Sequence, residues 1–387
     1  MEKKKKKKKK KGTGAQLFSI VIYLLIGAAS GLLIVRFIDH FTGPDVTIGQ
    51  EILLFALLML AVYAAMLLQI IIHEGGHLVF GLATGYKFSS FRILSWMLVR
   101  EDGKLRFRHL SLAGTGGQCL MAPPDLKDGT IPFLLYNFGG SIMNLISCFL
   151  FGGLSLLFPR ESFFNYFFLV LVLVGAGFGF MNGIPLHLGQ VDNDGANALS
   201  LLRSREAVRA FWIQMKVNEQ ISRGVRISDM PEDWFTVPDA GTMDNGITAY
   251  IGVLACSRLM DQRRFEEADV MMEKLLSEES GIPGLHRGLM ICDRIFLEAI
   301  GKNRPEALES LLTGEQKKLM KAMKTFPSVL RTEYALALLA DKDPAKAEKI
   351  LKEFDRYAAR YPYPSEIAAE REYLQMAQKR AEETEAI

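Results

Sequence analysis

The chain is predicted to be mostly α-helical: a polytopic membrane domain of four transmembrane helices carrying a small β-hairpin, followed by a soluble α-helical, repeat-like domain. Three observations predict this. Four long apolar runs fall before residue 186, no such run recurs after residue 195, and the charged remainder carries alanines recurring at intervals of 39 and 40 residues near the starts of helical segments. A hydrophobic content of 49% over 387 residues already points to a chain partly held in lipid, with room for two or three domains.

The first eleven residues carry nine lysines and one glutamate, a charge of +8, so the rest of the chain sums to +3 − 8 = −5. Residues 1–12 are read as a disordered basic tail that keeps the N-terminus cytosolic, with no nucleic-acid partner expected. The apolar runs are Leu17 to Ile38, Ile52 to Ile72, Ile131 to Phe158 and Phe163 to Met181. A helix needs about 20 apolar residues to cross a hydrocarbon core of roughly 30 Å, and each run meets or nearly meets that length. The first run is too long for a signal-peptide core and lacks a small-residue cleavage site, so it is expected to remain as a helix. From a cytosolic tail the four helices alternate out, in, out and in. Lys87, Arg92, Arg100, Lys104, Arg106 and Arg108 then fall on the inside, as the positive-inside rule requires.

Within that basic loop, Phe91 to Arg100 and Lys104 to Arg108 flank Glu101-Asp102-Gly103, a hairpin pattern in which Leu105 and Phe107 face one side and Arg106 and Arg108 the other. Residues 13–200 are assigned to the membrane domain. Ala196 to Arg223 is patterned as an amphipathic helix and Gly224 to Gly246 as a Pro- and Gly-containing linker, so that residues 201–246 are read as amphipathic helix and linker, and 247–387 as a helical repeat-like domain. Ala268, Ala307 and Ala347 sit near the starts of helices at intervals of 39 and 40 residues, as in stacked helical hairpins; the domain resembles tetratricopeptide-type repeats and is expected to be tetratricopeptide-like, with an irregular bundle the alternative. Cys119, Cys148, Cys256 and Cys292 show no paired spacing, which argues against a disulfide framework or a cysteine-zinc site.

The chemistry lies at the end of the second run, in His73-Glu74-Gly75-Gly76-His77. Histidines four apart share a helix face and can bind one Zn²⁺, with Glu74 in reach of water at the metal. Ionisable residues in a membrane are costly and usually functional. The two glycines weaken the helix by roughly 1 kcal/mol each, which close approach of another helix or a substrate backbone would explain. A third ligand is required. Asn182 to Gly195, broken by Pro185 and several glycines, follows the fourth run and offers Asp194, with Asp192 and His187 as alternatives.

These segments resemble the site-2 protease family of intramembrane zinc metalloproteases, over about residues 50 to 200. The resemblance implies that His73, His77 and Asp194 bind zinc and that Glu74 is the general base. It also implies that Asn144, in Gly140-Ser141-Ile142-Met143-Asn144, helps hold the substrate backbone or the developing oxyanion. Asp194 lies farther beyond Asn182 than is usual in that family. The hairpin would pair with an unwound substrate strand. The resulting expectation is a multi-pass cell-membrane metalloprotease that cleaves membrane-embedded or membrane-adjacent proteins or peptides near the cytosolic face. Its C-terminal domain would be cytosolic and offer a surface to a protein partner. The alternative is a catalytically inactive membrane scaffold that recruits a partner through that domain.

Overall fold

The computed structural model describes residues 13–42, 45–101, 103–111, 115–160, 162–186, 192–278 and 280–385; the lysine tail lies outside them. Two compact units emerge. The first contains residues up to Gly85, the stretch from Pro132 through the fourth long helix, and Asp192–Leu199; the second contains Tyr86–Ile131 and Ser200–Ile387.

The first unit is built on four long helices, α1 (Thr13–Phe41), α2 (Ile48–Ala83), α3 (Phe133–Ser155) and α4 (Phe163–Gly183). Each contains a stretch long and apolar enough to cross a bilayer, which makes this a multi-pass membrane protein. Their outer faces leave large apolar side chains such as Leu24, Leu60 and Phe149 exposed, a surface suited to lipid rather than water. The second helix extends well beyond the apolar run that predicts it. Thr47 starts it with a capping box to Gln50, and its 36 residues run through the His-Glu-Gly-Gly-His segment to Ala83, before Gly85 at φ +89°. At 1.5 Å per residue that is about 54 Å, more than the hydrocarbon core needs.

Helices α2, α3 and α4 pack on one another. The α2–α3 contact is close because it is made by backbone: a Cβ on Gly76 would lie 2.2 Å from Gly139 O, and one on Gly139 would lie 2.7 Å from Gly76 O. Close approach therefore explains Gly76. It does not explain Gly75, around which a Cβ would meet nothing within 4 Å.

In the second unit, β1 (Lys87–Ile93), β2 (Trp96–Glu101), β3 (Lys104–His109) and β4 (Gly117–Ala122) form an antiparallel sheet in the order β3-β2-β1-β4. The predicted hairpin is its β2–β3 half, in register Val99↔Arg106 and Leu98↔Phe107. The stretch Phe91 to Arg100, read as one strand, is two strands folded at Leu94-Ser95, where Leu94 adopts φ +53°. The turn has no Gly, Pro, Asn or Asp to announce it. It is held by the buried Arg92 side chain, whose guanidinium donates to Leu94 O, to Thr115 Oγ1 at 2.6 Å and to Gly117 O at 3.2 Å.

The sheet belongs with the second unit, whereas the sequence places the hairpin in the membrane domain. Its inner face, including Met97, Val99 and Met121, is fully buried, and Met97 and Leu110 join the apolar core of the following helices. Polar contacts add to this: Trp212 Nε1 donates to Pro124 O at 2.9 Å and His109 N to Arg360 O at 3.0 Å.

The single amphipathic helix expected over Ala196 to Arg223 is interrupted. Helix α5 (Asp194–Arg203) ends before Ser204, whose side chain caps α6 (Arg205–Ser222) by accepting from Ala207 N. The stretch read as a linker is a set of short 3₁₀ turns pinned to its surroundings by Arg226 on Asp261, Arg258 on Met230 O and the buried Phe235.

The rest is a helical array: α7 (Gly246–Asp261), α8 (Phe265–Ser277), α9 (Gly284–Ile300), α10 (Pro305–Leu311), α11 (Gly314–Ala322), α12 (Pro327–Ala335), α13 (Pro344–Ala358) and α14 (Pro364–Glu385). The recurring alanines do mark the starts of α8, α10 and α13. Ala268 and Ala347 are buried at packed helix faces, but in the short α10 it is Leu308 that is buried.

Candidate metal centre

Three side chains from two separated segments of the first unit converge. His73 and His77 lie four residues apart on α2, and Asp194 opens α5. Asp194 Oδ2 is 3.1 Å from His73 Nε2 and 3.4 Å from His77 Nε2, and the two Nε2 atoms are 3.2 Å apart. Both histidines are buried. Of the three third-ligand candidates, Asp194 is the one in this group; Asp192 is not a member of it, and His187 lies outside the described residues.

The outer nitrogens are already committed. His77 Nδ1 lies 2.7 Å from Tyr136 O. A carbonyl can only accept, so this nitrogen carries the proton and neutral His77 turns an Nε2 lone pair toward Asp194. His73 Nδ1 lies 2.7 Å from Asn144 Oδ1. The Asn144 amide orientation follows from its other end, where Nδ2 donates to Gln69 O at 3.0 Å and Gln69 Oε1 at 2.7 Å. Gln69 Nε2 in turn donates to Ser147 Oγ and Leu171 O, each at 3.0 Å. The chain of contacts fixes the ring of His73 from behind and leaves two imidazole lone pairs and a carboxylate aimed at one point.

Such a group attracts positive charge. Burial disfavours ionisation of Asp194, yet positive charge on the facing imidazoles, when they are protonated, holds its carboxyl well below the usual carboxylate range. With no proton between them, acceptors at 3.1 to 3.4 Å repel one another, and a shared cation relieves this. The buried group could therefore hold a metal ion.

Backbone shape lets the three meet. Gly140 leaves room for the His73 ring, since a Cβ there would lie 2.5 to 2.6 Å from three of its atoms. Gly195 lets the start of α5 press on the end of α4, where a Cβ would lie 2.4 Å from Gly183 O. Asn193 holds the break between these helices. Its Nδ2 donates to Met181 O and Ile184 O at 2.6 Å each, and its Oδ1 accepts from Leu186 N at 3.0 Å and Ala196 N at 2.9 Å. Carbonyls freed where α4 ends before Pro185 are thereby satisfied, and α5 is capped one residue ahead of Asp194.

Glu74 is buried in the same turn of α2. Asn144 is buried too, with its acceptor on His73 and its donors on Gln69, so in this arrangement it orients an imidazole. Sequence reasoning missed Gln69, Tyr136 and Asn193. Gln69 had a signal: it is a lone amide in the apolar run and, four residues before His73, shares its helix face. Tyr136 acts through its carbonyl, which leaves no trace in side-chain identity. No protein-family model, curated protein or solved structure matches the chain.

Proposed function

We propose that this protein is an intramembrane zinc metalloprotease that hydrolyses peptide bonds of membrane-embedded or membrane-adjacent substrates near the cytosolic face. The observation that carries the reading is the spacing of the three donor atoms. A tetrahedral zinc with bonds of about 2.0–2.1 Å has ligand atoms roughly 3.3–3.4 Å apart, close to the 3.1, 3.2 and 3.4 Å separations here. Three protein ligands leave a fourth position for water or substrate, the pattern of catalytic rather than structural zinc.

His73, His77 and Asp194 would hold the ion. When bound, zinc supplies Lewis acidity, lowering the pKa of water and polarising a carbonyl. Glu74, in the same turn of α2, takes a proton from the water that attacks the peptide carbonyl carbon and delivers it to the departing amine nitrogen. Asn144, Gln69 and Tyr136 keep the imidazoles in the tautomer and orientation this requires. A helical substrate must unwind before its carbonyl can react, and β3, an edge strand, offers a place for an extended segment to pair. The cytosolic assignment rests on the lysine tail and the basic residues between Lys87 and Arg108.

Metal analysis of the purified full-length protein should find about one zinc per chain. Glu74→Gln should keep that zinc and stop cleavage of a transmembrane substrate, and undiminished proteolysis by this variant would overturn the proposal.

A further inference from the structure

A second candidate site lies in the helical unit. A cavity of about 270 Å³ opens among α6, α7, α9, α12 and α14, just below the usual range of roughly 300–1,000 Å³ for small-molecule pockets. Its charged lining is unbalanced: Asp261, Asp293, Glu366 and Glu370 face Arg226 and Arg331, two more carboxylates than guanidinium groups.

The two arginines are engaged. Arg226 pairs with Asp261 at 2.5 Å and with Glu372 at 2.6 Å. Arg331 donates to Asp293 Oδ1 at 2.6 Å while its guanidinium stacks over Phe296 and Tyr373 at 4.5 and 5.3 Å. The nearest contact of Arg331 to Glu370, 3.5 Å, is too long for a strong hydrogen bond. Glu366 accepts from the Tyr361 hydroxyl at 2.8 Å and has no cationic partner among the described residues. Glu366 and Glu370 stand one helical turn apart on α14, an arrangement in which like charges repel.

Burial pushes both carboxyls up to about 7 and holds His286, across the cavity on α9, neutral by lowering it to about 4. Two further polar atoms of the lining are buried without a hydrogen-bond partner among the described residues: Ser365 Oγ, on a residue 9% exposed, and Arg331 Nε. The aromatic rings of Tyr250, Phe326 and Tyr361 complete the wall. Carboxylates short of a cation, an unpartnered hydroxyl and aromatic faces together suit an ammonium on a short apolar stem, by ion pairing and cation–π contact.

We infer that this cavity is a binding site for a primary ammonium group, with Glu366 as its main anionic contact, Glu370 and Ser365 beside it and the Tyr250 and Tyr361 rings along its stem. The ammonium can come from a free alkylamine or from the lysine side chain of a polypeptide. The site is independent of the metal centre and of the proposed protease activity.

The test is calorimetric titration of the full-length protein in detergent with four probes: pentylamine, pentanol, pentanoate and a lysine tripeptide blocked at both ends. Saturable binding of pentylamine or of the peptide, without binding of pentanol or pentanoate, is expected; which of the two binds more tightly identifies the source of the cation. Glu366→Gln should weaken that binding by roughly tenfold or more, the loss of one charge-assisted hydrogen bond. No binding of either amine, equal binding of the neutral or anionic probe, or unchanged affinity in Glu366→Gln would overturn the assignment. The comparison among probes needs no variant, so it decides the matter even if the substitution alters folding.

Discussion

On the proposed metal-binding reading, replacing Gly76 with alanine is expected to abolish metal binding, while the same change at Gly75 is tolerated. A Cβ at residue 76 would sit 2.2 Å from Gly139 O, 2.7 Å from Gly139 C and 2.8 Å from Met143 Cβ. Carbon–oxygen contacts begin at about 3.3 Å, so α2 and α3 would have to part by roughly 3.3 − 2.2 ≈ 1.1 Å. Two of the three obstructing atoms are backbone, which no rotamer change can move. The contacts of His73 with Asn144 and of His77 with Tyr136, each 2.7 Å, cross the same seam. Lengthened by that amount they reach about 3.8 Å and cease to be hydrogen bonds. Losing one outer partner of a metal-bound histidine typically lowers affinity 10–100-fold, so losing two should lower it by roughly a hundredfold or more. At Gly75 the added methyl meets nothing, and alanine favours the helix by about 1 kcal/mol. Zinc competition against a chromogenic chelator, on full-length variants shown to be helical by circular dichroism, measures the difference. Wild-type zinc affinity in Gly76→Ala, or an equal loss in Gly75→Ala, would refute the reasoning.

Other outcomes are expected from the same structure. Asp194→Asn should abolish stoichiometric metal binding and Asp192→Asn should preserve it, as read by metal analysis of the purified variants. Gln69→Leu removes the side-chain partner of the Asn144 amide and should lower metal affinity about 10–100-fold without unfolding the helices, measured by the chelator competition. In the helical unit, Glu366 has a folded-state pKa near 7, above its ordinary value of 4.5, so folding binds its proton more readily than the unfolded chain does. Its contribution to stability is greatest below about pH 4.5 and is lost as pH rises through 7. Glu366→Gln should therefore be more stable than the parent at pH 8, by about 3 kcal/mol, with the advantage vanishing near pH 4.5. Paired thermal melts across that range check it.

The four membrane helices were legible because lipid demands long apolar runs, and the histidine pair because a helix makes residues four apart neighbours. Asp194 was legible as the preferred of three candidates; bringing it against the histidines needed the fold, since the contact joins residues 121 positions apart. The sheet was read only in part. Gly103, at φ +76° between β2 and β3, follows familiar turn chemistry, whereas the Leu94-Ser95 turn depends on a buried arginine reaching across from β1, a tertiary cause with no local sequence pattern. Its assignment to the membrane domain followed chain order, and burial of Met97 and Leu110 among distant helices reversed it. The cavity on α14 was equally hidden, because Glu366 and Glu370 look like ordinary surface charges in a polar helix until packing buries them.

The Asn193 clamp bears on the long spacing between Asn182 and Asp194. Leu186 N donates to Asn193 Oδ1 at 3.0 Å, and Asn193 N to Leu186 O at 3.4 Å, so the two ends of the intervening segment are fastened to each other. What positions the carboxylate is this knot and the capped first turn beyond it, not the number of residues strung between. The position of the Asp194 carboxylate is thereby set by the fastened ends at Leu186 and Asn193 rather than by contour length.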